Sequence, residues 1–509
     1  MSDEVEDILS RVVSGSSVIF AGSLINKIIA FGGSVFIARL LGDIGYGVLV
    51  IGFAVYSILA NVLTLGLNSG IARNYPQAST DPERRGILVA AFRIGTVSAL
   101  VGATVVFITA RPVAVYLFDD ESIAIVLQIF AVTLPLKLFL NLSNGVFRGA
   151  KHPSIKAALT SVFYPIVRIV GIVILVLAGY EAAGVAGAYL IAVGLTAVIS
   201  LYYVYEYTSL FEFGSAFQPE YRSLLLFSLP LVGSRIVVDL MNNVDTLLLG
   251  ALDTSAATGQ YNVAFVLSET TLLFLQTLGF MYLPEISELY GQGETERAEL
   301  IYRAVTKWVL FLSIPFILTA VAFPTYVLTF IYSGDFASAT VPFLILAGGF
   351  LTHLINGPNH GTLTAFGDTR QLFLFDIFTL VINFALNLTL IPFLGIVGAA
   401  IATAVSYLVR NAAMTAYLYV KYEMVPFSRW LFTPLVPTVL VAGLLWWLVP
   451  GPSLLVVLLY ALALVGTITL GFLSSGVEKA DLILAELLEE NLGVNLDFIR
   501  RVHERLQQR

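Results

Sequence analysis

Fourteen long apolar segments follow one another along the chain, and short polar segments separate them. A transmembrane helix needs about 20 mostly apolar residues. Barrel strands instead show short stretches of alternating polarity, so the continuous runs here predict helices. The pattern therefore predicts an all-α integral membrane protein with about 14 transmembrane helices. We place these spans near residues 17–40, 45–68, 87–109, 122–146, 155–178, 184–207, 223–250, 260–283, 303–325, 338–365, 371–393, 396–420, 431–449 and 453–475.

The basic residues between the spans predict an orientation. With the N-terminus in the cytoplasm, Arg111 is the one basic residue that we place in an outward loop. The inward loops hold thirteen: Arg73, Arg84, Arg85, Arg148, Lys151, Lys156, Arg222, Arg297, Arg303, Lys307, Arg370, Lys421 and Arg429. This asymmetry agrees with the positive-inside rule. We therefore expect a multi-pass protein of the cell membrane with both termini in the cytoplasm. The acidic start of the chain predicts no cleavable signal peptide, so the first span would direct insertion.

The composition supports a membrane protein and excludes several classes. Charged residues make up 12% of the 509 residues and hydrophobic ones 58%, whereas soluble domains carry about 25% charged residues. A soluble enzyme or a disordered scaffold is therefore excluded. The net charge of −7 argues against nucleic acid as a partner. The chain has no cysteine, and its four histidines show no metal-binding spacing, so we expect neither a metal nor a cofactor.

A weak internal repeat relates spans that are six apart. Residues 64–66 and 277–279 both read Thr-Leu-Gly, and similar Gly-Ala patterns open spans 6 and 12, at residues 184–188 and 395–399. Because six is even, the two halves would share one orientation and form a parallel repeat, as in some transporters. We expect the following organisation: an N-terminal amphipathic segment (1–16), an N-lobe (17–207), a cytoplasmic linker (208–222), a C-lobe (223–420), two added helices (431–475) and a cytoplasmic tail (476–509).

Two motifs near the N-terminus resemble a known family. Residues 37–47 read IARLLGDIGYG, and residues 65–73 read LGLNSGIAR. Both resemble the opening of the polysaccharide-biosynthesis (Wzx-type) flippases of lipid-linked oligosaccharides, which belong to the multidrug/oligosaccharidyl-lipid/polysaccharide exporter superfamily. The motifs cover about 60 residues, and the span number and repeat extend the resemblance over nearly the whole chain.

The resemblance implies two six-helix bundles around a central cleft that spans 1, 2, 7 and 8 line. It implies a transporter, not an enzyme, that moves an oligosaccharide on a polyprenyl phosphate or diphosphate carrier from the inner to the outer leaflet. Glycan-assembly enzymes are candidate partners. A drug or metabolite antiporter of the same superfamily is the first alternative, although cationic drugs would favour an acidic cleft. A membrane glycosyltransferase or polymerase is a second, although the outward loops are short for such an enzyme.

Ionisable residues inside apolar spans are the candidate site. A charge at mid-bilayer costs at least about 2.5–3.5 kcal/mol, so such residues normally face a wet cavity or a partner. Seven lie well inside the spans: Lys27, Lys137, Arg168, Arg235, Asp239, Glu269 and Arg410. The excess of basic residues suits an anionic phosphate. We predict that Lys27, Arg235, Asn26 and Arg39 bind the substrate. Arg39 would also brace the turn around Gly42.

Two carboxylates are candidates for coupling transport to an ion. Arg235 and Asp239 are four residues apart and can pair on one helix face. A phosphate that competes for Arg235 would free Asp239 to take a proton or Na⁺, and Glu269 could do the same. A purely structural ion pair is the alternative, and Lys27 could pair with Glu269. We expect Lys137, Arg168 and Arg410 to support the fold through hydrogen bonds between helices.

Charges nearer the span ends have a simpler explanation. Arg39, Arg93, Asp245 and Asp376 could reach the membrane surface by extending their side chains.

Overall fold

The computed structural model of the chain describes residues 2–212, 219, 221–427, 431–449 and 451–475. The predicted tail (476–509) and much of the predicted linker (208–222) lie outside the described residues. The backbone of the predicted N-terminal segment is helical, but its side chains also lie outside the described set. Within the described residues the secondary structure is helical, with short 3₁₀ and π turns and no strand.

Eighteen α-helices make up the described part of the chain. They are α1 (Ser2–Thr64), α2 (Leu67–Asn74), α3 (Asp81–Tyr116), α4 (Ser122–Gly149), α5 (Pro153–Ala157), α6 (Tyr164–Leu177), α7 (Glu181–Tyr207), α8 (Tyr221–Leu252), α9 (Ser255–Glu269), α10 (Leu273–Gly291), α11 (Thr295–Ala322), α12 (Pro324–Ile331), α13 (Thr340–Asn356), α14 (Asn359–Ala365), α15 (Thr369–Leu394), α16 (Ile396–Tyr422), α17 (Phe432–Leu448) and α18 (Leu454–Ser475).

The all-helical membrane fold predicted from hydropathy is confirmed. Eleven helical stretches of the described chain are long and apolar enough to cross a membrane, and a shorter apolar helix covers Thr433–Leu448. One of these stretches, Lys27–Gln77, has 51 residues and contains the first two predicted spans. The count of fourteen stays a prediction, as do the predicted lobe boundaries.

Local breaks divide the longest helical stretches where the sequence allows them. Gly42 has φ 66° and ψ −175° inside α1, a conformation that a residue with a Cβ rarely adopts. Gly66 is left-handed between α1 and α2. A π-helical turn from Ala158 to Phe163 joins α5 to α6, just before Pro165. The chain therefore changes helix direction or winding near several of the predicted site residues.

The chain divides into two compact units, and several helices contribute to both. We call residues 32–262 and 387–399 the N-terminal unit. In it α4 packs against α2, α3 and α7, while α6 packs against α7 and α2 against α8. Its core includes Leu67, Ile71, Leu88, Leu142 and Phe147, all nearly inaccessible to solvent.

The C-terminal unit consists of residues 1–31, 263–386 and 400–509. Here α11 packs against α10, α13, α17 and α18, and α10 also contacts α14. Lys307, which we placed in a loop, is instead buried within α11, with 2% of its surface exposed. The helix begins at Thr295, before the predicted span 303–325, so the assignment of Lys307 to a loop is wrong.

The repeated Thr-Leu-Gly sequence has two different structures. Gly66 ends a helix in a left-handed conformation, whereas Gly279 lies within α10 and a Cβ there would meet no atom within 4 Å. The second copy therefore lacks the turn of the first. The match is a similarity of sequence that carries no common turn.

Candidate functional site

Arg235, Asp239 and Asn61 form a polar cluster in the N-terminal unit. Arg235 Nε lies 3.4 Å from Asp239 Oδ1, one helical turn away on α8. Asn61 on α1 donates from Nδ2 to Asp239 Oδ2 at 2.8 Å. The carboxylate side chain is 9% exposed and the arginine 62%. Asp239 thus accepts a hydrogen bond from Asn61 and forms an ion pair with Arg235, whose side chain stays largely exposed.

Lys27 and Glu269 are close enough to attract one another in the C-terminal unit. Lys27 lies on α1, and Glu269 is the last residue of α9. The two opposite charges attract each other, and both side chains are exposed. The side chain of Asn26 lies outside the described set. Arg39 lies in α1 three residues before Gly42, with an exposed side chain.

Arg168 lies among tyrosine rings in the N-terminal unit. The centroids of the Tyr164 and Tyr189 rings are 5.4 Å and 5.2 Å from its guanidinium carbon, and both phenols interact with its charge. Tyr189 also packs edge-on against Phe130, which stacks on Tyr56. A guanidinium against aromatic faces gains cation–π attraction, which offsets part of the cost of burying it.

Lys137 is half-buried on α4. Within the described residues it forms no hydrogen bond or ion pair. The structure therefore shows no supporting hydrogen bond for this side chain, unlike Arg168.

Arg410 and Asp376 form a buried ion pair in the C-terminal unit. Arg410 Nε and Nη2 donate to Asp376 Oδ1 at 3.0 Å and 2.7 Å. Their side chains are 14% and 12% exposed. His353 and His360 are near enough to interact electrostatically with Arg410. The expectation that Asp376 reaches the membrane surface is wrong, because the carboxylate is buried against its arginine.

Asp245 also differs from its expected position near the surface. It is 5% exposed in the N-terminal unit. Tyr261 donates to Oδ2 and Asn387 donates to Oδ1, both at 2.6 Å. The position of Asp245 in its span gave no sign of these partners, since Asn387 is far away in the sequence. Asn61 was missed for the same reason.

Acidic residues outside the spans are held ionised by hydrogen bonds. Partial burial opposes ionisation of Asp120, but hydrogen bonds from Ser122 and Ser255 outweigh it and lower the pKa of the carboxyl. At Asp368, burial is likewise outweighed by hydrogen bonds from Lys421 and Tyr422, which lower its pKa. Each contact ties a loop to a helix start or a helix end.

No group of three or more His, Asp or Glu residues that could hold a metal ion occurs among the described residues. The candidate chemistry is that of cationic and aromatic side chains within apolar helices. Such side chains can bind anions and sugar rings through charge, hydrogen bonds and stacking.

The helices define a multi-pass α-helical membrane protein. The chain belongs to the polysaccharide biosynthesis protein family, whose model matches residues 12–289. The MatE family model also matches residues 230–389.

Two curated relatives match most of the chain. The "Probable low-salt glycan biosynthesis flippase Agl15" of Haloferax volcanii is 25% identical over 408 residues, 79% of this chain and 82% of that protein. "Stage V sporulation protein B" of Bacillus subtilis (strain 168) is 23% identical over 418 residues, 77% of this chain and 80% of that protein.

Solved structures show the same fold. The lipid II flippase MurJ, in an inward closed conformation, matches with a TM-score of 0.73 and 14% identity, covering 94% of this chain and 100% of that one. A multidrug resistance MATE family transporter in an inward-facing conformation matches with a TM-score of 0.60 and 16% identity, covering 79% of this chain and 94% of that one.

Proposed function

We propose that this protein flips an oligosaccharide linked to a polyprenyl phosphate or diphosphate from the inner to the outer leaflet of the cell membrane. The observation that carries the proposal is the family match over more than half of the chain. The glycan flippase from Haloferax volcanii, which aligns with 79% of the chain, supports the same substrate class. In this proposal the protein is a transporter without catalytic residues, and both termini are cytoplasmic.

The substrate phosphate would bind to cations on apolar helices. Arg235 is the strongest candidate, because its side chain is 62% exposed although it pairs with Asp239. Lys27 is the second, since Glu269 balances its charge without a close ion pair in the described chain. Asn26 and Arg39, which both lie on α1, are the other residues that we propose to bind the substrate. Alternating access would then carry the bound glycan across the membrane.

Replacing Lys27 or Arg235 with alanine should block flipping. Each change removes a cation that the phosphate would meet inside the bilayer, where a charge pair is weakly screened. We expect lipid-linked oligosaccharide to accumulate on the inner leaflet of a deletion strain, with at least a tenfold loss of rescue by either variant at normal expression. Arg297→Ala is the matched control, because its ion pair with Glu294 is exposed. Full rescue by both variants would contradict the assignment of these residues.

The antiporter alternative has an observation of its own in the MatE match to residues 230–389. It predicts a different result in the same strain. Glycolipid pools would stay normal, and sensitivity to cationic compounds would rise. That outcome would replace the flippase proposal.

Ion coupling through Asp239 predicts a change in pH or Na⁺ dependence. A phosphate that draws Arg235 away would leave the carboxylate with Asn61 as its donor, and burial then favours taking up a cation. Flipping by the wild type in proteoliposomes should depend on pH or Na⁺, and Asp239→Asn should remove that dependence. Glu269→Gln is the parallel variant for the second candidate carboxylate. A flat profile for both wild type and Asp239→Asn would rule out coupling at this site.

A further inference from the structure

Two cations in the N-terminal unit have no carboxylate partner in the described part of the chain. Lys137 has no hydrogen bond or ion pair there, and Arg168 interacts with the neutral phenols of Tyr164 and Tyr189. In the same set of residues, Arg235 and Arg410 both have carboxylates within 4 Å. Among the residues that the structure describes, no carboxylate therefore balances the charge of Lys137 or Arg168.

Lys137 lies on the face of α4 that contacts α1. Phe130 and Asn141 lie on the same face of α4 as Lys137, at helical spacings of seven and four residues. Phe130 stacks on Tyr56 with ring centroids 4.7 Å apart, and Asn141 donates to Thr64 Oγ1 at 3.2 Å. Lys137 thus lies between two direct contacts of α4 with α1.

Aromatic contacts connect this surface to Arg168. Phe130 packs edge-on against Tyr189, with centroids 6.1 Å apart, and the Tyr189 ring lies 5.2 Å from the Arg168 guanidinium carbon. The π-helical turn that ends at Phe163 precedes this stretch of α6, and such turns are frequent at functional sites. Ring contacts therefore connect α4, which carries Lys137, to Arg168 on α6.

An unbalanced charge on an apolar helix is costly and normally serves a ligand or an ion pathway. Arginine pairs with phosphate or carboxylate in a bidentate way, while lysine acts as a point charge. Tyrosine rings stack on apolar faces and their hydroxyls donate hydrogen bonds. The expected ligand is an oxyanion attached to a body that can stack.

We propose that Lys137 and Arg168 form an oxyanion-binding track within the N-terminal unit, with Tyr56, Tyr164 and Tyr189 alongside. The track would take the phosphates of the carrier lipid or an acidic sugar of the glycan. This assigns both basic residues to the substrate instead of to support of the fold, and it rests on the flippase function proposed above. Phosphate and carboxylate share the chemistry that the track offers.

Binding of small oxyanions to the purified full-length protein tests the track. The probes are farnesyl diphosphate for the carrier phosphates and D-glucuronate for an acidic sugar, with farnesol and D-glucose as their uncharged counterparts. We expect Lys137→Met and Arg168→Gln to weaken binding of at least one oxyanion by tenfold or more. Lys137→Arg should retain binding within about threefold, because it keeps the charge. The oxyanion whose binding the substitutions weaken identifies the part of the glycolipid that the track holds.

Thermal unfolding separates a binding role from a structural one. Removing an unbalanced buried charge should leave the melting temperature of Lys137→Met equal to or above that of wild type, while oxyanion binding falls. Lys156→Met is the matched control, since Lys156 lies near the end of the short helix α5 and also has no described side-chain partner. A lower melting temperature with unchanged Kd values would overturn the proposal, as would a wild type that binds neither oxyanion.

Rescue of the deletion strain distinguishes this inference from the proposed function. Full rescue by Lys137→Met and Arg168→Gln at normal expression would overturn the track and leave the flippase function standing. If the wild-type gene itself fails to change glycolipid pools, the flippase function fails, whatever the variants bind.

Discussion

Replacing Gly47 with alanine is expected to remove most flipping and to lower the thermal stability of the protein. A Cβ added at Gly47 would lie 1.7 Å from the carbonyl oxygen of Ser255, far inside van der Waals contact. Across the same contact, a Cβ at Gly259 would lie 2.2 Å from the carbonyl oxygen of Asp43. The starts of α9 and of the second part of α1 therefore meet backbone to backbone, as small residues allow in membrane proteins.

Polar side chains around this contact cannot move to relieve the clash without losing hydrogen bonds. Gln260 donates to Asp43 Oδ2 at 2.7 Å, and the Tyr46 hydroxyl donates to Asn262 Oδ1 at 3.0 Å. Overpacking a well-packed site typically costs about 1–3 kcal/mol, and a backbone atom cannot rotate aside as a side chain can. The alanine must separate the two helices, so we expect a lower melting temperature and at least a tenfold loss of rescue.

Gly279→Ala is the matched control for Gly47→Ala. It lies within α10, where an added Cβ meets no atom within 4 Å. Alanine also favours a helix interior more than glycine by roughly 0.5–1 kcal/mol, so the control should be neutral or slightly stabilising. Wild-type stability and rescue in Gly47→Ala would mean that this helix contact is looser than the structure shows.

Hydropathy predicted the fold because each span must satisfy its own backbone within the bilayer. That requirement acts locally, so a single sequence shows it. The position at which a span ends depends less on the local sequence and more on contacts with neighbouring helices. Lys307 is polar and marked a loop, yet neighbouring helices bury it within α11. The Gly42 motif predicted a turn, and the structure has a left-handed residue there.

The sequence identified the charged residues of the candidate site but only some of their partners. A pair on one helix, such as Arg235 and Asp239, follows from spacing alone. The partner of Arg410 is Asp376 on another helix, and spacing along the chain says nothing about that contact. That no carboxylate of the described helices lies near Lys137 was equally hidden, because it depends on every helix that packs around α4.

We expect cations that have a carboxylate partner and cations that lack one to serve different functions. Arg410 is paired with Asp376 within the protein, so we expect it to stabilise the fold without a ligand. Arg168 and Lys137 remain unbalanced by any carboxylate of the described chain, and Arg235 is balanced but open. A transporter of an anionic lipid needs cations that are unpaired or that stay exposed in their ion pair. A carboxylate of the protein would otherwise compete with the substrate for the cation. Balanced and unbalanced charges should therefore respond oppositely to neutralisation.

Replacing Arg410 with methionine should destabilise the protein strongly. The change leaves the Asp376 carboxylate buried without its cation, which typically costs about 3–5 kcal/mol. The double variant Arg410→Met/Asp376→Leu removes both charges and should recover most of that loss, because an apolar pair of similar volume is often neutral or stabilising. Thermal or denaturant unfolding of the wild type, both single variants and the double variant gives the coupling energy.

The exposed pair Arg297–Glu294 is the control for this cycle, with side chains 57% and 39% exposed. Exposed pairs contribute about 0–1 kcal/mol, so Arg297→Met should change stability little. A double variant at 410 and 376 that is no more stable than Arg410→Met alone would show that the two charges do not compensate one another. Lys137→Met removes a charge that no carboxylate of the described residues balances. The stability of this variant should therefore change in the opposite direction to that of Arg410→Met. The two substitutions together thus test whether the protein holds one cation for its fold and another for its substrate.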